Sequence, residues 1–518
     1  MAPFLSALAL GVLSAFGFAP FDIWPLALLA FGMLYLLLGR AATLRQAAGL
    51  GWGFGLGQFL LGLEWIAKAF TYQSDMPAWL GWIAVVALSL YLALYPMLAT
   101  ASAWWATRRI GGGAVSLTLF LGASWALAEW LRSVAFTGFP WNPVAVTMID
   151  LPIGHLARLT GTYALSGLVV ASTGFILILA TRPREALTRR TLLTPANIPA
   201  AIGLGLLVGC YLAPVLLQRF AAEARPAYPD GPVVHIVQPD IGQGERWDSG
   251  LSARHLARMQ SLSGVPGARP RLILWPESGI EDNVQEDPVA RATLASILGP
   301  HDLLLGGGEA PVRNAKGQLI AARNSIFVID AEGRLVARYD KAHLVPFGEY
   351  LPLRWLLSPI GLSRLVAGTL DFWPGTGPAT VDLPGFGGVG MDLCYEMVFS
   401  GHVVDEAHRP RFLFNPSNDA WFGRGGPPQH LAQARLRAIE EGLPIARATP
   451  TGISALIDAD GRLLHSLPDG AMGMVELPLP PALPPTVFAR IGNWAVPLIV
   501  LLLGGLAFAA RRYKENFI

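Results

Sequence analysis

The sequence predicts a membrane bundle of eight transmembrane α-helices joined to an extracytoplasmic α/β domain. Long apolar stretches fill the first 220 residues, another lies near the carboxyl end, and short strands alternate with helices in between. Of the 38 basic and 36 acidic residues in this 518-residue chain, only 18 lie in the first 220 positions. The charged fraction of 14% is far below the roughly 25% of soluble proteins. This composition argues against a purely soluble protein.

Eight stretches are long and apolar enough to cross a bilayer, which takes about 20 residues each. They are residues 3–20, 24–39, 47–67, 79–104, 113–135, 156–181, 198–218 and 492–510. The first lacks the basic start and the cleavage site of a signal peptide, so we expect it to be retained. The predicted domains are a membrane domain at 1–220, a globular domain at 221–490, and a last transmembrane helix with its tail at 491–518.

The basic residues of the short loops predict the orientation, because Lys and Arg accumulate on the cytoplasmic side. Eleven fall on one side when all eight spans are counted: Arg40, Arg45, Arg108, Arg109, Arg182, Arg184, Arg189, Arg190, Arg511, Arg512 and Lys514. Both termini are then cytoplasmic and the globular domain faces outward. Within the spans, Glu129 and Arg132 share a helix face, either as a local ion pair or as a polar contact for a lipid headgroup or substrate.

The globular domain shows the alternation of strands and helices that is typical of α/β proteins. Strands are predicted at 232–238, 272–276, 302–307, 324–330, 335–341, 387–394, 411–416, 444–449 and 453–458, and helices at 251–263, 288–298, 396–407 and 428–442. The stretch 351–373 is apolar but interrupted. It is either a core element or, as we favour for a domain beside a membrane, an outward loop that dips into lipid.

Three strand ends in this domain carry reactive side chains, namely Glu277, Lys341 and Cys394. In α/β domains, catalytic groups gather beyond the carboxyl ends of strands. A thiol is mostly protonated at neutral pH, so a carboxylate can serve as its base. A lysine ammonium can stabilise the thiolate and then the oxyanion of a tetrahedral intermediate. Taken singly, each has an ordinary alternative, because most Glu and Lys residues are surface charges and a lone Cys is usually a small core residue.

The motifs around these residues resemble those of the nitrilase, or carbon–nitrogen hydrolase, superfamily, whose members carry a Glu–Lys–Cys triad in an αββα sandwich. The resemblance covers about residues 232–478. It rests on Trp275-Pro-Glu277-Ser, Tyr339-Asp-Lys341, His343-Leu-Val-Pro-Phe-Gly-Glu349, Cys394-Tyr-Glu396, Asn415-Pro-Ser-Asn-Asp-Ala-Trp421, Arg437-Ala-Ile-Glu440 and Arg447-Ala-Thr.

A nitrilase-like domain between a seventh and an eighth span is similar to one family in particular, the apolipoprotein N-acyltransferases of bacterial envelopes. Gly138-Phe-Pro-Trp141-Asn, in the outward loop after the fifth span, resembles that family's membrane-domain signature. Val237-Gln238 with Trp247-Asp248 resembles the entry to its nitrilase domain. The resemblance therefore extends over nearly the whole chain, and it places the chain in a bacterial inner membrane.

The resemblance implies a two-step acyl transfer without a metal or other cofactor. Cys394 would take an acyl chain from the sn-1 ester of a phospholipid, of the phosphatidylethanolamine type, as a thioester. The α-amine of the N-terminal S-diacylglyceryl-cysteine of a lipoprotein would then accept it, in the last step of lipoprotein maturation. Glu277 would be the base, and Lys341 with the backbone N–H of Tyr395 would hold the oxyanion. The implied partners are a phospholipid donor and a diacylated apolipoprotein acceptor.

The same resemblance gives six further residues supporting roles, for which the alternative is an ordinary structural role. Glu349 would orient Lys341 or Glu277, and Tyr395 and Glu396 would line or gate the pocket. Trp247, Phe347 and Trp421 are predicted to contact substrate.

Two other functions fit parts of the pattern. A membrane-tethered amidase or hydrolase of the nitrilase type would form the same acyl-cysteine and pass it to water. A transporter or receptor would use the outward domain only to bind ligand, but the scarcity of charges within the spans weakens that hypothesis. The net charge of +2 gives no indication of nucleic-acid binding, and the sequence does not predict the oligomeric state.

Overall fold

The computed structural model describes residues 1–72, 77–180, 201, 203–212, 215, 231–246, 248, 250–360 and 371–511. The chain divides into two compact units. The helical unit comprises Met1–Glu64, Trp82–Pro226 and Pro485–Ile518, and the sandwich unit comprises Trp65–Gly81 and Ala227–Pro484.

The described helices, in chain order, are α1 Ala2–Ala15, α2 Trp24–Gly39, α3 Leu44–Gly62, α4 Ile66–Ala69, α5 Leu80–Leu92, α6 Leu94–Ile110, α7 Ala114–Val134, α8 Ala157–Ala180, α9 Gly203–Leu212, α10 Ser252–Leu262, α11 Pro288–Ala295, α12 Arg354–Leu357, α13 Gly426–Glu441, α14 Val487–Ile491 and α15 Ala495–Ala510. Several begin with a proline in the first turn, where its missing N–H costs no hydrogen bond.

Four helical segments are long and apolar enough to cross a membrane, judged by length and composition: Leu80–Ile110, Ala114–Val134, Pro152–Ala180 and Val487–Ala510. Among the described residues, α1, α2 and α9 are shorter apolar helices. Each of the eight stretches predicted from the sequence contains a helix, but the number of helices that cross the membrane stays a prediction.

The helix α3 is not among these four candidates, and its packing explains why it carries so many glycines. A Cβ atom at Gly57 would lie 2.1 Å from the Leu8 carbonyl oxygen of α1, and one at Gly51 would lie 2.3 Å from the Pro96 carbonyl oxygen of α6. Small residues let helix backbones approach closely within a bundle. Because α3 packs closely on two sides, it carries glycine where the other predicted spans carry large apolar residues.

Glu129 and Arg132 of α7 are buried and hold the loop that follows this helix. Glu129 Oε1 accepts hydrogen bonds from Trp125 Nε1 at 3.0 Å and from the backbone N–H of Val144 at 2.9 Å. Arg132 donates to the backbone carbonyl of Trp141 at 2.6 Å. The motif at 138–142 is therefore fixed to α7 by two buried charged side chains, and Trp141 is fully buried.

The strands of the sandwich unit are β1 Val233–Gln238, β2 Arg271–Leu274, β3 Leu303–Arg313, β4 Leu319–Asp330, β5 Leu335–Asp340, β6 Ala379–Leu383, β7 Gly387–Met391, β8 Phe412–Pro416, β9 Ile445–Ala448, β10 Ala455–Ile457, β11 Leu463–Ser466 and β12 Gly473–Pro478. They form two six-stranded sheets, in the orders β12-β1-β2-β3-β4-β5 and β11-β10-β9-β8-β7-β6. The neighbours β1-β2-β3 and β7-β8-β9 are parallel.

The described residues of this unit form three hydrophobic cores. One joins the facing sides of both sheets, with Leu272 and Phe412 among its members. A second packs α10 and α11 on the outer side of the first sheet, and a third packs α13 on the outer side of the second sheet. The order of layers is therefore helix, sheet, sheet, helix, the αββα arrangement.

The prediction of a helix at 396–407 is wrong. The chain forms only a 3₁₀ helix at Cys394–Val398, because the Glu396 side chain accepts a hydrogen bond from the backbone N–H of Leu393 and thereby caps the turn tightly. Phe399 is already extended, and Gly401 has a positive φ of 76°, which ends any helical continuation. Strands β6, β11 and β12 were not predicted from the sequence.

The segment Trp65–Gly81 follows α3 in the chain but belongs to the sandwich unit. Trp65 Nε1 donates to Gln429 Oε1 at 3.0 Å, and its ring meets that of Phe422 edge-on at 4.4 Å between centroids. Tyr72 meets Trp421 edge-on at 6.0 Å. The loop after α3 therefore forms part of the surroundings of residues 421–429.

Candidate active site

Glu277, Lys341 and Cys394 lie on loops that directly follow β2, β5 and β7. The loop after β2 sits tightly against β3, because a Cβ atom at Gly307 would lie only 2.6 Å from Glu277 Cα. All three side chains are buried, with exposed fractions of 6%, 1% and 6%. The sandwich thus brings three polar groups into its interior, where each needs a partner.

Lys341 is surrounded by carboxylates. Its Nζ donates to Glu349 Oε1 at 3.0 Å and lies 3.7 Å from Glu277 Oε1. The amide of Asn324 joins the two acids, since its Nδ2 donates to Glu277 Oε1 and to Glu349 Oε1, each at 2.7 Å. The backbone N–H of Val345 donates to the second oxygen of Glu349 at 2.7 Å. Glu349 is thereby fixed from three sides, and it fixes Lys341 in turn.

The second carboxylate oxygen of Glu277 differs from the first. Oε2 is buried and has no hydrogen-bond partner among the described residues, whereas Oε1 is held by Asn324. An unpaired buried carboxylate oxygen is costly, and such atoms in native proteins often have a chemical role. Glu277 therefore presents one oriented oxygen and one oxygen that is available as a proton acceptor.

Cys394 begins the 3₁₀ helix Cys394–Val398 with a positive φ of 56°, a conformation that costs about 1–2 kcal/mol for a residue with a Cβ atom. Its carbonyl oxygen lies 3.1 Å from Nε2 of His430. The backbone N–H of Asn418 hydrogen-bonds the thiol. The nucleophile candidate is thus held in a strained turn by contacts from the neighbouring elements.

The charges around the site set the protonation of its groups. Burial raises the pKa of the Cys394 thiol well above its ordinary value, and the negative charge of Glu277 raises it further; Lys341 opposes both effects only in part. Burial lowers the pKa of Lys341, but the carboxylates of Glu349 and Glu277 outweigh it and leave that pKa raised. The resting site therefore holds a neutral thiol beside a charged ammonium group.

Glu396 joins two loops of the site. Its Oε1 accepts from the backbone N–H groups of Ala342 at 2.7 Å and His343 at 3.0 Å, just after Lys341. Its Oε2 accepts from the backbone N–H of Leu393 at 2.7 Å, just before the nucleophile candidate. The Tyr339 hydroxyl donates to both oxygens. Glu396 is therefore a structural link rather than an open pocket wall.

The remaining predicted residues lie in different surroundings. Tyr395 is buried and packs edge-on against Phe399 at 5.2 Å. Phe347 is about half exposed, and Trp421 packs against Tyr72. Trp247 lies outside the described residues.

Four residues of this region were not singled out from the sequence: Asn324, Asp419, His430 and Arg447. Asn324 starts a predicted strand, and its position gives no sign that its amide bridges two acids 47 and 25 positions away. Asp419 and Arg447 lie within motifs that were recognised only as neighbours of the triad. The imidazole of His430 contacts the Cys394 carbonyl from α13, a pairing that only the fold brings about.

Comparison with known families gives two matches that together cover most of the chain. Residues 10–175 match the model described as the apolipoprotein N-acyltransferase N-terminal domain. Residues 237–482 match the model described as carbon–nitrogen hydrolase. The sandwich unit accordingly has the nitrilase-like carbon–nitrogen hydrolase fold that the motifs predicted.

Two relatives align over nearly the full length. The apolipoprotein N-acyltransferase of Bradyrhizobium diazoefficiens is 35% identical over 529 positions, covering 98% of this chain and 94% of its own length. That of Rhodopseudomonas palustris is 35% identical over 526 positions, covering 98% and 95%. Among solved structures, Nit3 of Saccharomyces cerevisiae, from the nitrilase superfamily, is 17% identical with a TM-score of 0.36, covering 53% of this chain and 98% of that chain.

Proposed function

Because the chain belongs to the apolipoprotein N-acyltransferase family, we propose that it carries an acyl chain from a phospholipid to a lipoprotein through a thioester on Cys394. The donor is the sn-1 ester of a phospholipid of the phosphatidylethanolamine type. The acceptor is the α-amine of an N-terminal S-diacylglyceryl-cysteine. The reaction exchanges an ester for an amide, so it needs no external energy source.

The observation that carries this proposal is the buried cluster of Glu277, Lys341 and Cys394. Lys341 Nζ lies 3.7 Å from Glu277 Oε1, and the charges of both residues act on the thiol of Cys394. A neutral thiol is a poor nucleophile and needs a base at the moment of attack. The unpaired oxygen of Glu277 supplies one, so the site has the parts of an acyl-transfer centre.

In the first half-reaction, Glu277 Oε2 takes the thiol proton as the sulfur of Cys394 attacks the ester carbonyl. The tetrahedral oxyanion is stabilised by the Lys341 ammonium and by the backbone N–H of Tyr395. When the intermediate collapses, the C–O bond of the ester breaks and Glu277 returns the proton to the departing alkoxide. The products are the thioester and a lysophospholipid.

In the second half-reaction, the neutral α-amine of the acceptor attacks the thioester carbonyl. Glu277 takes one proton from the attacking nitrogen, and the same two donors hold the oxyanion. Collapse breaks the C–S bond, and Glu277 gives its proton to the departing thiolate. Cys394 is restored, and the acyl chain is now an amide on the acceptor.

The other residues of the site act through these three. Asn324 and Glu349 fix the side chains of Glu277 and Lys341 by hydrogen bonds. Glu396 joins the loop after Lys341 to the turn that begins at Cys394. We assign Tyr395 to the oxyanion through its backbone. Contact with substrate is assigned to Trp247, Phe347 and Trp421.

The proposal includes the arrangement of the chain in a bacterial inner membrane. Eight spans, formed from residues 1–220 and 491–518, place both termini in the cytoplasm, and the domain at 221–490 lies on the outer side. The asymmetry of basic residues in the loops supports this orientation. It also puts the thiol on the side where lipoprotein acceptors are anchored.

Intact-protein mass spectrometry tests the proposal directly. The purified protein is incubated with phosphatidylethanolamine, and half of the sample then receives a diacylated lipopeptide with a free N-terminal amine. We expect an adduct of one acyl chain that hydroxylamine removes, that C394A lacks, and that moves to the peptide amine.

Other outcomes separate the alternatives. An adduct that decays equally fast with and without peptide would identify a hydrolase of the nitrilase type. A folded protein that forms no adduct with any phospholipid would exclude the lipid-donor mechanism and favour a binding or transport function.

A further inference from the structure

A buried His–Asp pair lies beside the nucleophile candidate. His430 Nδ1 is 2.9 Å from Asp419 Oδ1, and His430 Nε2 is 3.1 Å from the carbonyl oxygen of Cys394. All atoms of His430 are buried. In many cysteine and serine hydrolases such a pair takes the proton of the nucleophile. Here the imidazole instead contacts the backbone carbonyl of Cys394.

The direction of this hydrogen bond is fixed by chemistry. A carbonyl oxygen only accepts, so Nε2 of His430 must carry a hydrogen. In the neutral ring Nδ1 then carries no hydrogen and accepts a hydrogen bond from Nη2 of Arg447 at 3.0 Å. Arg447 in turn donates to Asp419 Oδ2 at 2.7 Å. Arg447 and Asp419 are both fully or almost fully buried. Three buried side chains thus hold one N–H against the Cys394 carbonyl.

The carbonyl of Cys394 and the N–H of Tyr395 belong to the same planar peptide group. This peptide bond is trans, since the cis peptide bond found among the described residues is that between Ala19 and Pro20. In a trans peptide the oxygen and the amide hydrogen point in opposite directions. Fixing the oxygen against His430 therefore fixes the N–H of Tyr395 on the opposite side. A hydrogen bond to the oxygen also polarises the peptide and strengthens its N–H as a donor.

We propose that His430 is a positioning residue that orients the Cys394–Tyr395 peptide as an oxyanion donor. This inference rests on the proposed function, in which the Tyr395 N–H stabilises the tetrahedral intermediate. His430 exchanges no proton with the reacting atoms and acts only through this peptide. The thiol has its own supports, namely the N–H of Asn418 and the link from Glu396 to Leu393.

Two reactions of Cys394 distinguish a loss of oxyanion stabilisation from a loss of thiol reactivity. Acylation by a soluble activated ester, p-nitrophenyl butyrate, passes through a tetrahedral oxyanion, whereas alkylation by iodoacetamide displaces iodide and forms none. We expect H430L to slow the burst of p-nitrophenol about 100-fold, the loss typical of one oxyanion donor. The rate and pH profile of alkylation should stay within about twofold of wild type. H430Q, whose amide keeps an N–H to donate, should recover most of the acylation rate.

His235→Leu is the matched control, because it removes another buried histidine of the sandwich unit, one that contacts Met474. We expect it to acylate like wild type. Folded H430L that acylates at the wild-type rate would overturn the inference, as would a parallel loss of acylation and alkylation. Wild type that is acylated by the activated ester but not by phospholipid would contradict the proposed donor alone. Wild type that reacts with neither would overturn both.

Discussion

At the scale of single residues, the chemistry depends on how one carboxylate acts on one thiol. Glu277 raises the pKa of Cys394 by its charge, which adds to the larger effect of burial. The same residue has the unpaired oxygen that can accept the thiol proton. Glu277 thus makes the resting thiol less acidic while providing the base that activates it during attack.

This double role gives a prediction in which two measured quantities change in opposite directions. In E277Q the negative charge beside the thiol is gone, so the pKa of Cys394 should fall and the pH profile of its alkylation should move to lower pH. Acyl transfer should nevertheless fall by about 10²–10⁴-fold, because the general base is lost. Alkylation rates between pH 6 and 10, together with acyl-adduct formation, measure the two effects.

The exposed Glu332 supplies the control for this experiment, since E332Q removes an equal charge from a solvated position. It should change neither the alkylation profile nor the acyl transfer. An alkylation profile that moves to higher pH in E277Q would contradict the electrostatic role of Glu277. Full acyl transfer in E277Q would contradict its role as base.

The residues that the sequence predicted at this scale are those with reactive groups and recognisable neighbours. Glu277, Lys341, Cys394 and Glu349 lie within one buried cluster, and their catalytic roles stay a proposal. Asn324 could not be found this way, because a bridging amide has no motif of its own. Its importance follows only from the two carboxylates that share its N–H groups.

At the scale of elements, the site depends on loops that follow strands of both sheets. Lys341 follows β5 of the first sheet, and Cys394 follows β7 of the second. Glu396 joins these loops with hydrogen bonds to three backbone N–H groups and one hydroxyl. The geometry between lysine and cysteine is therefore held by one buried carboxylate.

Removing this link should destabilise the sandwich unit measurably. E396A leaves several buried donors without an acceptor, so we expect a loss of about 3–5 kcal/mol. For a domain of this size, that loss lowers Tm by about 6–20 °C. E396Q keeps one acceptor oxygen and should lose less. Thermal unfolding of the full chain in detergent measures the difference.

Glu406 offers a comparison at an exposed position, where E406A should stay within about 0.5 kcal/mol of wild type. Equal Tm values for E396A and E406A would show that the hydrogen bonds of Glu396 do not stabilise the sandwich unit. In that case, a loss of acyl transfer in E396A would have to come from the chemistry of the site itself.

The sequence predicted those elements that bury a continuous apolar run. The parallel strands β1, β2, β8 and β9 are buried and were found, whereas β11 is exposed on most of its residues and was missed. The error at 396–407 has a related cause. Apolar residues there suggested a helix, but they are buried by irregular chain around the nucleophile turn, where side-chain hydrogen bonds replace a helical pattern.

At the scale of the whole molecule, an enzyme that takes its donor from a bilayer must present its site to lipid. In the sandwich unit, exposed apolar side chains gather around the ends of the segment predicted to dip into lipid. Leu353 is 60% exposed and Trp355 is 76% exposed. Arg354 forms an ion pair with Asp371, and Trp373, two residues further along the chain, is also exposed. Residues 361–370 of this predicted loop lie outside the described residues.

Exposed apolar clusters of this kind mark surfaces that bind a membrane or another protein. For this chain the membrane is the partner that the proposed function requires, because a phospholipid must leave the bilayer to meet a buried thiol. Burying one large apolar side chain in lipid contributes about 1.5–3 kcal/mol. Two such side chains are enough to change how often the domain engages the lipid surface.

The double variant L353S/W355S should therefore separate access to lipid from chemistry. In proteoliposomes, we expect the acyl adduct from phosphatidylethanolamine to form about 100-fold more slowly than in wild type, because two side chains at about 1.5 kcal/mol each contribute about 3 kcal/mol and every 1.4 kcal/mol alters a ratio tenfold. Acylation by soluble p-nitrophenyl butyrate should stay within about twofold. V265S/V289S, which alters two exposed apolar residues elsewhere in the same unit, should leave both rates unchanged. An equal loss with both donors would mean that the substitutions damage the site, and unchanged acylation from phospholipid would exclude this surface from lipid contact.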